Sequence, residues 1–197
     1  MKIKWFGMVI ALICTFITAC APLQPKLISG EDAGIQNYLG LFTIMPPQGD
    51  NWYEFQRKAG LLAYGKKLES SSHTFIASVH VTKTDKNFTN ETDFLSFVKT
   101  ARTNDTSTDR FNVITYDEAL DNSKPKYCTK FHQKVEDKVA LKSNGNLSIL
   151  EIKGFTCLHP KQPLIVTIEY SERGDSPFNN DELLREGEGF INSLQLK

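Results

Sequence analysis

The spacing of apolar residues along the chain predicts a domain that is built mainly from β-strands. In residues 73–82, Phe75, Ala77 and Val79 recur at every second position, which is typical of a strand with one buried face. Residues 164–170 (LIVTIEY) form the most apolar stretch and are predicted as a central strand. Shorter strands are predicted from apolar and aromatic runs at residues 38–45, 52–55, 61–66 and 111–116.

A long β-hairpin is predicted from the alternating residues 127–135 and the strand-like residues 147–157. The Asn-Gly pair at residues 144–145 is a turn signal between them. If Cys128 lies opposite Cys157 in an antiparallel pair, Lys134 meets Glu151 on the same face. The other face then carries apolar pairs, so one register satisfies both faces.

Two amphipathic helices complete the pattern. Phe94, Leu95 and Val98 have helical spacing in residues 93–102, after possible capping residues at 89–92. A final helix begins after Asn180 and continues to residue 194, with Gly187 on its apolar side. The predicted fold class is therefore α+β, with a mostly antiparallel sheet of six or seven strands, a mid-chain helix and a C-terminal helix.

Composition supports a folded chain and argues against one class of partner. The 197 residues are 40% hydrophobic and 11% aromatic, and 23 Lys and Arg balance 23 Asp and Glu. Proteins hold nucleic acids largely by neutralising phosphates with clustered cations. The balanced charge therefore predicts no nucleic-acid partner.

The first twenty residues have the pattern of a secretory signal peptide. Lys2 and Lys4 precede an apolar run that ends in small residues before Cys20. The run is about fifteen residues long, whereas a membrane-spanning helix needs roughly 20. The sequence ITAC at residues 17–20 resembles the lipobox of bacterial lipoproteins.

The lipobox resemblance implies cleavage before Cys20 and acylation of that cysteine, with chains such as palmitate. Residues 1–19 are then the signal peptide, residues 20–36 the lipidated cysteine with a flexible tether, and residues 37–197 a single domain. The residue after Cys20 is not Asp, which favours the outer membrane of a Gram-negative bacterium and a domain facing the periplasm. The alternative is an ordinary signal peptide with a chance cysteine.

Two further cysteines, Cys128 and Cys157, would face an oxidising compartment and are predicted to form a disulfide. Closing a loop of about 30 residues contributes on the order of 3.5 kcal/mol to stability. The alternative is a redox-active or nucleophilic cysteine. The chain has no Cys-x-x-Cys motif, and no motif links either cysteine to a histidine.

The sequence contains no catalytic, metal-binding or phosphate-binding motif. The four histidines show no metal-ligand spacing, and Gly65-Lys66-Lys67 lacks the remaining residues of a P-loop. The Gly-x-Ser-x-Gly sequence of many serine hydrolases is also missing. We therefore assign no catalytic residue, metal ligand or cofactor from the sequence.

One group of residues suggests a binding surface. The predicted register places Lys130, His132, Lys134 and Lys153 on one face of the hairpin, with Glu151 and the cysteines. Such a face would bind an anionic group or an acidic partner. The alternative is an ordinary solvent-facing sheet surface.

The order of elements in the mature chain resembles the PsbP-like fold of photosystem subunits and small bacterial lipoproteins. The resemblance rests on an apolar strand ending in Pro-Pro at residues 41–47, Trp52, the strand beginning SHTF at residues 72–75, and the closing helix FINSL at residues 190–194. It implies a non-enzymatic accessory or assembly role and transfers no site residue.

Together these observations predict a membrane-anchored bacterial envelope lipoprotein with an envelope protein partner and membrane lipid at Cys20. The alternatives are a small-ligand carrier with a pocket between helix and sheet, or an envelope hydrolase whose active site has no sequence motif.

Overall fold

The computed structural model describes residues 24–70, 72–141 and 147–197. Three features predicted from the sequence lie outside the described residues. They are the signal peptide, the lipidated Cys20 and the turn at residues 144–145.

Eleven strands and two α-helices form within the described residues. In chain order they are β1 (Lys26–Leu27), β2 (Gln36–Tyr38), β3 (Phe42–Ile44), β4 (Trp52–Lys58), β5 (Leu61–Lys66), β6 (Thr74–Lys83), α1 (Glu91–Asp105), β7 (Phe111–Leu120), β8 (Cys128–Leu141), β9 (Leu147–Leu158), β10 (Leu164–Gly174), α2 (Asp181–Asn192) and β11 (Gln195–Leu196). A short 3₁₀ helix, Gly30–Ala33, lies between β1 and β2. Among these elements, no helix is long and apolar enough to cross a membrane.

The strands form one large and one small sheet. The large sheet has the order β1-β4-β5-β6-β10-β9-β8-β7, and the small sheet has the order β11-β3-β2. Neighbouring strands are antiparallel in both sheets. The predicted α+β class is confirmed. The large sheet has eight strands because β1, which the sequence did not predict, adds to the edge of β4.

Strand β10 lies at the centre of the large sheet, where the sequence predicted residues 164–170. It pairs with β6 on one side and with β9 on the other along nearly its whole length. Val166, Ile168 and Tyr170 are buried on one face of the sheet, which we call the α2 face. Thr167 and Glu169 point to the opposite face, the α1 face, and are only half-buried. The strand is therefore central in the sheet but fully covered on one face only.

Helix α2 covers the α2 face through a buried apolar side that includes Leu183, Phe190 and Ile191. The side chain of Asn180 caps the helix by accepting hydrogen bonds from two backbone N–H groups of the first turn, as predicted. A Cβ atom at Gly187 would lie 2.5 Å from the Tyr170 ring. The predicted role of Gly187, a close approach of helix and sheet, is confirmed.

Helix α1 packs on the opposite face and toward the other end of the sheet. Phe94 and Val98 are buried against Ile165 of β10, and Phe88 and Tyr127 pack around them. The helix begins at Glu91 because the side chain of the preceding Asn90 accepts a hydrogen bond from the N–H group of Asp93 at 2.9 Å. The two helices thus cover diagonally opposite parts of the sheet.

Residues 38–45 differ from the prediction, because they form a hairpin rather than one strand. β2 and β3 are joined at Leu39 and Gly40, whose φ angles are 51° and 73°, and the Leu41 N–H donates to the Tyr38 carbonyl at 2.9 Å. Two successive positive φ values are those of a type I′ turn. The continuous apolar sequence concealed the turn, and Gly40 was its one signal.

The described part of the predicted tether lies against the domain. Strand β1 pairs with β4, the Lys26 ammonium lies 2.8 Å from the Asp32 carboxylate, and the Gln36 side chain donates to the Asp32 carbonyl at 2.6 Å. The backbone of β4 pairs with this segment, and the composition of the segment did not predict that pairing.

The C-terminus also differs from the prediction, which continued the last helix to residue 194. Helix α2 ends at Asn192 because the Ser193 hydroxyl donates to the Phe190 carbonyl at 2.7 Å and accepts from the Met45 N–H at 3.0 Å. The chain then turns into β11, which pairs with β3.

We expect opposite effects from alanine at two glycines of α2. Gly187→Ala should destabilise the fold by on the order of 2 kcal/mol, because the new methyl group would overlap the Tyr170 ring. Gly189→Ala should stabilise it by about 0.5–1 kcal/mol, because nothing lies within 4 Å of that position. Chemical denaturation would measure both. Equal effects would contradict the close approach of α2 to the sheet.

Candidate functional site

The predicted register of the β8–β9 hairpin is confirmed. Cys128 pairs with Cys157 and Lys134 with Glu151, and a disulfide joins the two cysteines across the strands. This pairing places Lys130, His132, Lys134 and Lys153 on the α2 face. The cysteines themselves are buried, which fits a structural disulfide rather than a reactive thiol.

Helix α2 leaves this part of the α2 face uncovered, because its buried side chains pack mainly over β4, β5, β6 and β10. The uncovered part carries what we call the basic surface. Its members are Lys124, Lys130, His132, Lys134 and Lys153. The sequence predicted four of these residues together. Lys124 was missed, because it belongs to the β7–β8 connection and only the folded chain brings it beside Lys130.

Three lysines of the basic surface lie over aromatic rings. The ammonium groups of Lys124 and Lys130 lie 4.6 Å and 5.8 Å from the centroid of the Phe155 ring. The ammonium of Lys153 lies 4.7 Å from the centroid of Phe178. Each ring attracts a cation through its negative face. The ammonium groups of Lys124 and Lys130 repel each other above the Phe155 ring. An anion bound near them would reduce this repulsion and would therefore be stabilised.

Carboxylates neutralise part of the basic surface. Glu151 is buried and lies 2.6 Å from the His132 ring nitrogen and 3.1 Å from the Lys134 ammonium. Burial acts to raise the pKa of Asp121, but hydrogen bonds from Ser123 and the charges of Lys130 and Lys124 hold that pKa below its usual value. Asp117 lies opposite His132 in the β7–β8 register. Lys153 is paired with none of these three acids, and its ammonium group lies over the Phe178 ring.

Strand β7 forms the edge of the sheet beside the basic surface. Within the described residues, no strand pairs with the outer side of its ten residues. Val113 and Ile114 are 47% and 46% exposed on this strand. The register with β8 shifts between Val113 and Thr115, so Ile114 sits in a β-bulge. An open edge of this length is a template for pairing with another chain.

A mainly apolar pocket of about 290 Å³ lies beside the same edge on the α1 face. It is formed by β7, β8 and the last turn of α1 with the loop that follows. Its lining residues are Val113, Tyr116, Gln133, Arg102, Thr103, Thr106 and Thr108. The edge of β7 therefore has cations on one face and an apolar pocket on the other.

A buried polar cluster fixes α1 to β7. Glu118 accepts hydrogen bonds from the Arg102 guanidinium at 3.0 Å, from the Thr129 hydroxyl at 2.7 Å and from the Tyr116 hydroxyl at 2.5 Å. Burial and the hydrogen bond to Glu118 raise the pKa of Tyr116. The Arg102 guanidinium also stacks 3.3 Å above the centre of the Phe131 ring. Because Glu118 is fully satisfied, this cluster is structural.

A groove of about 380 Å³ lies on the α1 face between the end of α1 and the strands β8 to β10. Val135, Leu150 and Ile152 form its apolar floor, and His80 and Asp105 are exposed at its rim. A carrier for an apolar ligand would need an enclosed pocket. This groove is open to solvent along its rim.

His80 and Glu169 line the groove, and Ser78 lies beside His80, but the three residues do not form a catalytic relay. The Ser78 hydroxyl lies 3.2 Å from Nε2 of His80, and a Glu169 oxygen lies 3.8 Å from the same nitrogen. A serine hydrolase triad needs the carboxylate on the other ring nitrogen. The described residues also contain no group of three His, Cys, Asp or Glu side chains placed to hold a metal ion.

Comparisons with known proteins identify no family. No family model matches the chain, and no curated protein matches it. Among solved structures, the chain is similar to a point mutant of the protein Mog1, with 10% identity, 83% of this chain and 95% of that chain covered, and a TM-score of 0.46. It is similar to the Ran-binding protein Mog1p of Saccharomyces cerevisiae, with 10% identity, 83% and 96% covered, and a TM-score of 0.45.

A third similar structure is a protein of Bacteroides thetaiotaomicron, with 12% identity and a TM-score of 0.36. That match covers 89% of this chain and 49% of the other, so the chain spans about half its length. These likenesses carry no conclusion about function, because all three TM-scores lie below 0.5.

Asp137 fixes the start of the β7 edge. It is fully buried on β8, and its carboxylate lies 2.9 Å from the guanidinium of Arg110, which precedes β7, and 3.1 Å from that of Arg173 on β10. Burial acts to raise the pKa of Asp137, but the hydrogen bonds and charges of these partners hold it below its usual value.

We expect Asp137→Asn to destabilise the fold at neutral pH by about 2 kcal/mol, the size of a lost charged hydrogen-bond pair. Because the pKa in the folded state is lowered, the wild type loses this stabilisation as the pH falls through that pKa. The difference between variant and wild type should therefore shrink in acid. Denaturation at pH values above and below the usual aspartate pKa would measure it. A constant difference would contradict the ion pairs.

Proposed function

We propose that this chain is a lipid-anchored protein of the bacterial envelope that acts without enzymatic chemistry, by binding a protein partner. The partner surface is the outer edge of β7 together with the basic surface. The observation that carries the proposal is the open ten-residue edge of β7, with Val113 and Ile114 exposed on it.

The open edge favours a protein as the partner. Unpaired N–H and C=O groups in a row match the backbone of another extended chain, which adds as a further strand. A small molecule or a lipid surface has no such row of donors and acceptors.

The two faces beside β7 indicate which partner sequence would fit. Side chains of an added strand alternate between the two faces of the sheet. On the α2 face they would lie near Lys130 and Lys134, and on the α1 face they would reach the pocket at Val113 and Tyr116. The partner segment is therefore one that alternates acidic or polar residues with apolar ones.

The anchor is proposed on the lipobox at residues 17–20. Acyl chains on Cys20 would hold the domain at a membrane, because each buried methylene contributes about 0.8 kcal/mol. The outer membrane, with the domain in the periplasm, remains the proposed location. Strand β1 begins at Lys26, six residues after Cys20, so the domain would stand close to its anchor.

A second candidate function is that of a carrier for a small ligand, which would have to bind in the open groove on the α1 face, because that groove is not an enclosed pocket. Its apolar floor and polar rim are features of ligand sites. The experiment below separates the two functions by the mass of the bound molecule.

Cys20→Ser should abolish lipid anchoring. The variant should accumulate as uncleaved, unacylated precursor, since acylation of the thiol precedes cleavage in lipoproteins. Mass spectrometry of the protein from membrane fractions would measure it. Normal cleavage of Cys20→Ser at residue 20 would contradict the lipoprotein proposal.

The mature protein extracted gently from its own envelope should carry a partner of several kilodaltons or more in native mass spectrometry. Ile114→Lys should reduce that complex, because an edge lysine opposes strand pairing. The double variant Lys130→Glu with Lys153→Glu should reduce it by reversing the charge of the basic surface.

Two matched controls test whether these effects are local. Ile76→Lys adds the same charge at an exposed isoleucine on β6, four strands away from β7 in the sheet. Lys99→Glu with Lys161→Glu reverses two lysines outside the basic surface. Equal loss of the partner in variants and controls would contradict the proposed surface, and extra mass of a few hundred daltons would favour the carrier.

A further inference from the structure

A row of side chains without charge crosses the large sheet from its first strand to its central one. Residues that lie directly opposite each other in paired strands share a face of the sheet. The registers of β1, β4, β5, β6 and β10 align five such residues, in the order Leu27, Tyr53, Gly65, Ile76 and Ser171. We call them the uncharged row.

The uncharged row lies on the α1 face. On one side of Gly65, the ring of Tyr64 packs against Phe190 of α2. On the other side, Lys66 pairs with Glu186 of the same helix. Because successive side chains of a strand alternate between the two faces, Gly65 and the residues aligned with it face away from α2.

Phe55 adds an aromatic ring to the uncharged row. The register of β4 with β5 shifts at this residue, and a Cβ atom at Gly65 would lie 3.3 Å from the Phe55 ring. The ring therefore lies over the glycine, on the α1 face. Leu27, Phe55 and Ile76 are 46%, 37% and 36% exposed, so three large apolar side chains in contact with solvent gather around one glycine.

Helix α1 leaves the uncharged row open, because it packs over the strands β7 to β10. Four strand-to-strand steps separate β5 from β8 in the sheet, and each step turns the sheet by about 20–25°. The α1 face therefore turns by about 80–100° between the row and the strands beneath the end of α1. The row and the β7 edge point in different directions.

The covalent chain ties the uncharged row to the proposed anchor. Seven residue steps separate Cys20 from Leu27, and an extended chain spans at most about 3.6 Å per residue, so the two residues lie within about 25 Å of each other. Strand β7 lies at the far edge of the sheet, seven strand spacings or roughly 33 Å from β1. The short tether thus keeps the row near the acyl chains.

From these observations we propose that the uncharged row is the membrane-facing surface of the anchored domain, with Leu27, Phe55 and Ile76 inserted at the level of the lipid headgroups. This inference rests on the proposed lipidation of Cys20. Exposed apolar side chains beside an acyl anchor add buried apolar area to the membrane contact. Tyr53 suits the same level, because its ring is apolar and its hydroxyl is polar.

The absence of charge in the row decides the type of bilayer. None of its five residues, nor Phe55, carries an ionisable acid or base of the kind that pairs with lipid phosphate or choline groups. The contact is therefore apolar in character, and neutral phosphatidylcholine is a sufficient bilayer.

Two matched single-cysteine labels can test the contact in the complete lipidated protein. Ile76→Cys would provide the one free thiol of the mature chain, because Cys20 would be acylated and Cys128 is bonded to Cys157. Ile114→Cys is the control, since Ile114 is an isoleucine of similar exposure on β7. Each variant is labelled with an environment-sensitive fluorophore and reconstituted into phosphatidylcholine vesicles.

We expect the label at position 76 to shift its emission to shorter wavelength on reconstitution and to lose quenching by aqueous iodide several-fold. The label at position 114 should show neither change. Protection of both labels would overturn the proposal, and so would protection of position 76 that disappears when the protein is diluted in lipid, because a second copy would then cover the row.

Two further outcomes separate the contact from the anchor. If both labels stay accessible to iodide while the protein floats with the vesicles, the membrane-facing row is wrong and the anchor stands. If the wild-type protein does not float, both the anchor and the contact are overturned.

A crossed pair of lysine variants separates the membrane contact from partner binding. With the label at Leu27→Cys, Ile76→Lys should raise iodide quenching on vesicles, whereas Ile114→Lys should not. The partner complex is measured on extracted protein, so there Ile76→Lys should keep the partner and Ile114→Lys should lose it. Melting temperatures close to that of the wild type would show that both variants fold. Equal quenching in the two variants would overturn the role of the row.

Discussion

The pairing of β10 on both sides is the constraint on which the rest of the structure depends. β10 joins β6 to β9 and so unites two groups of strands that are distant in sequence. Its residues Val166, Ile168 and Tyr170 require cover on one face, which α2 provides. Helix α1 buries Ile165 near the beginning of the same strand on the opposite face. Because each helix covers only part of its face, the fold leaves surfaces uncovered beside both.

Buried carboxylates fix α2 and the loop that precedes it to the large sheet. Glu186 accepts a hydrogen bond from the Trp52 indole at 3.0 Å and lies 2.7 Å from the Lys66 ammonium. Glu172 contacts His73 and accepts from the Phe178 N–H at 2.6 Å, which positions the ring under Lys153. Each of these acids has its partners within the domain. The role of Glu186 and Glu172 is therefore structural, because they hold α2 and the loop before it in place.

The sequence was sufficient to predict the features that follow from periodic patterns or from the cysteine pair. Alternation in residues 73–82 and 128–135, the helix caps and the opposed cysteines each state a local rule, and together they predicted the strands and the hairpin register. Features that depend on contacts between residues far apart in the sequence could not be predicted from it. No local pattern in residues 26–27 predicts β1, because this segment is a strand only through its pairing with β4. Nothing local marks Glu186 as buried either, because its partners Trp52 and Lys66 come from other elements. The open edge of β7 also follows from strand order alone.

The position of β10 in the sheet has a consequence for how the chain folds. This central strand is the last strand of the large sheet in sequence, so β6 must wait for residues 164–174 before its second neighbour exists. Domains whose contacts are distant in sequence fold slowly, because loop closure precedes the stabilising contacts. If the chain is exported as proposed, this strand order would keep it open during translocation, because the large sheet closes only after residues 164–174 have arrived.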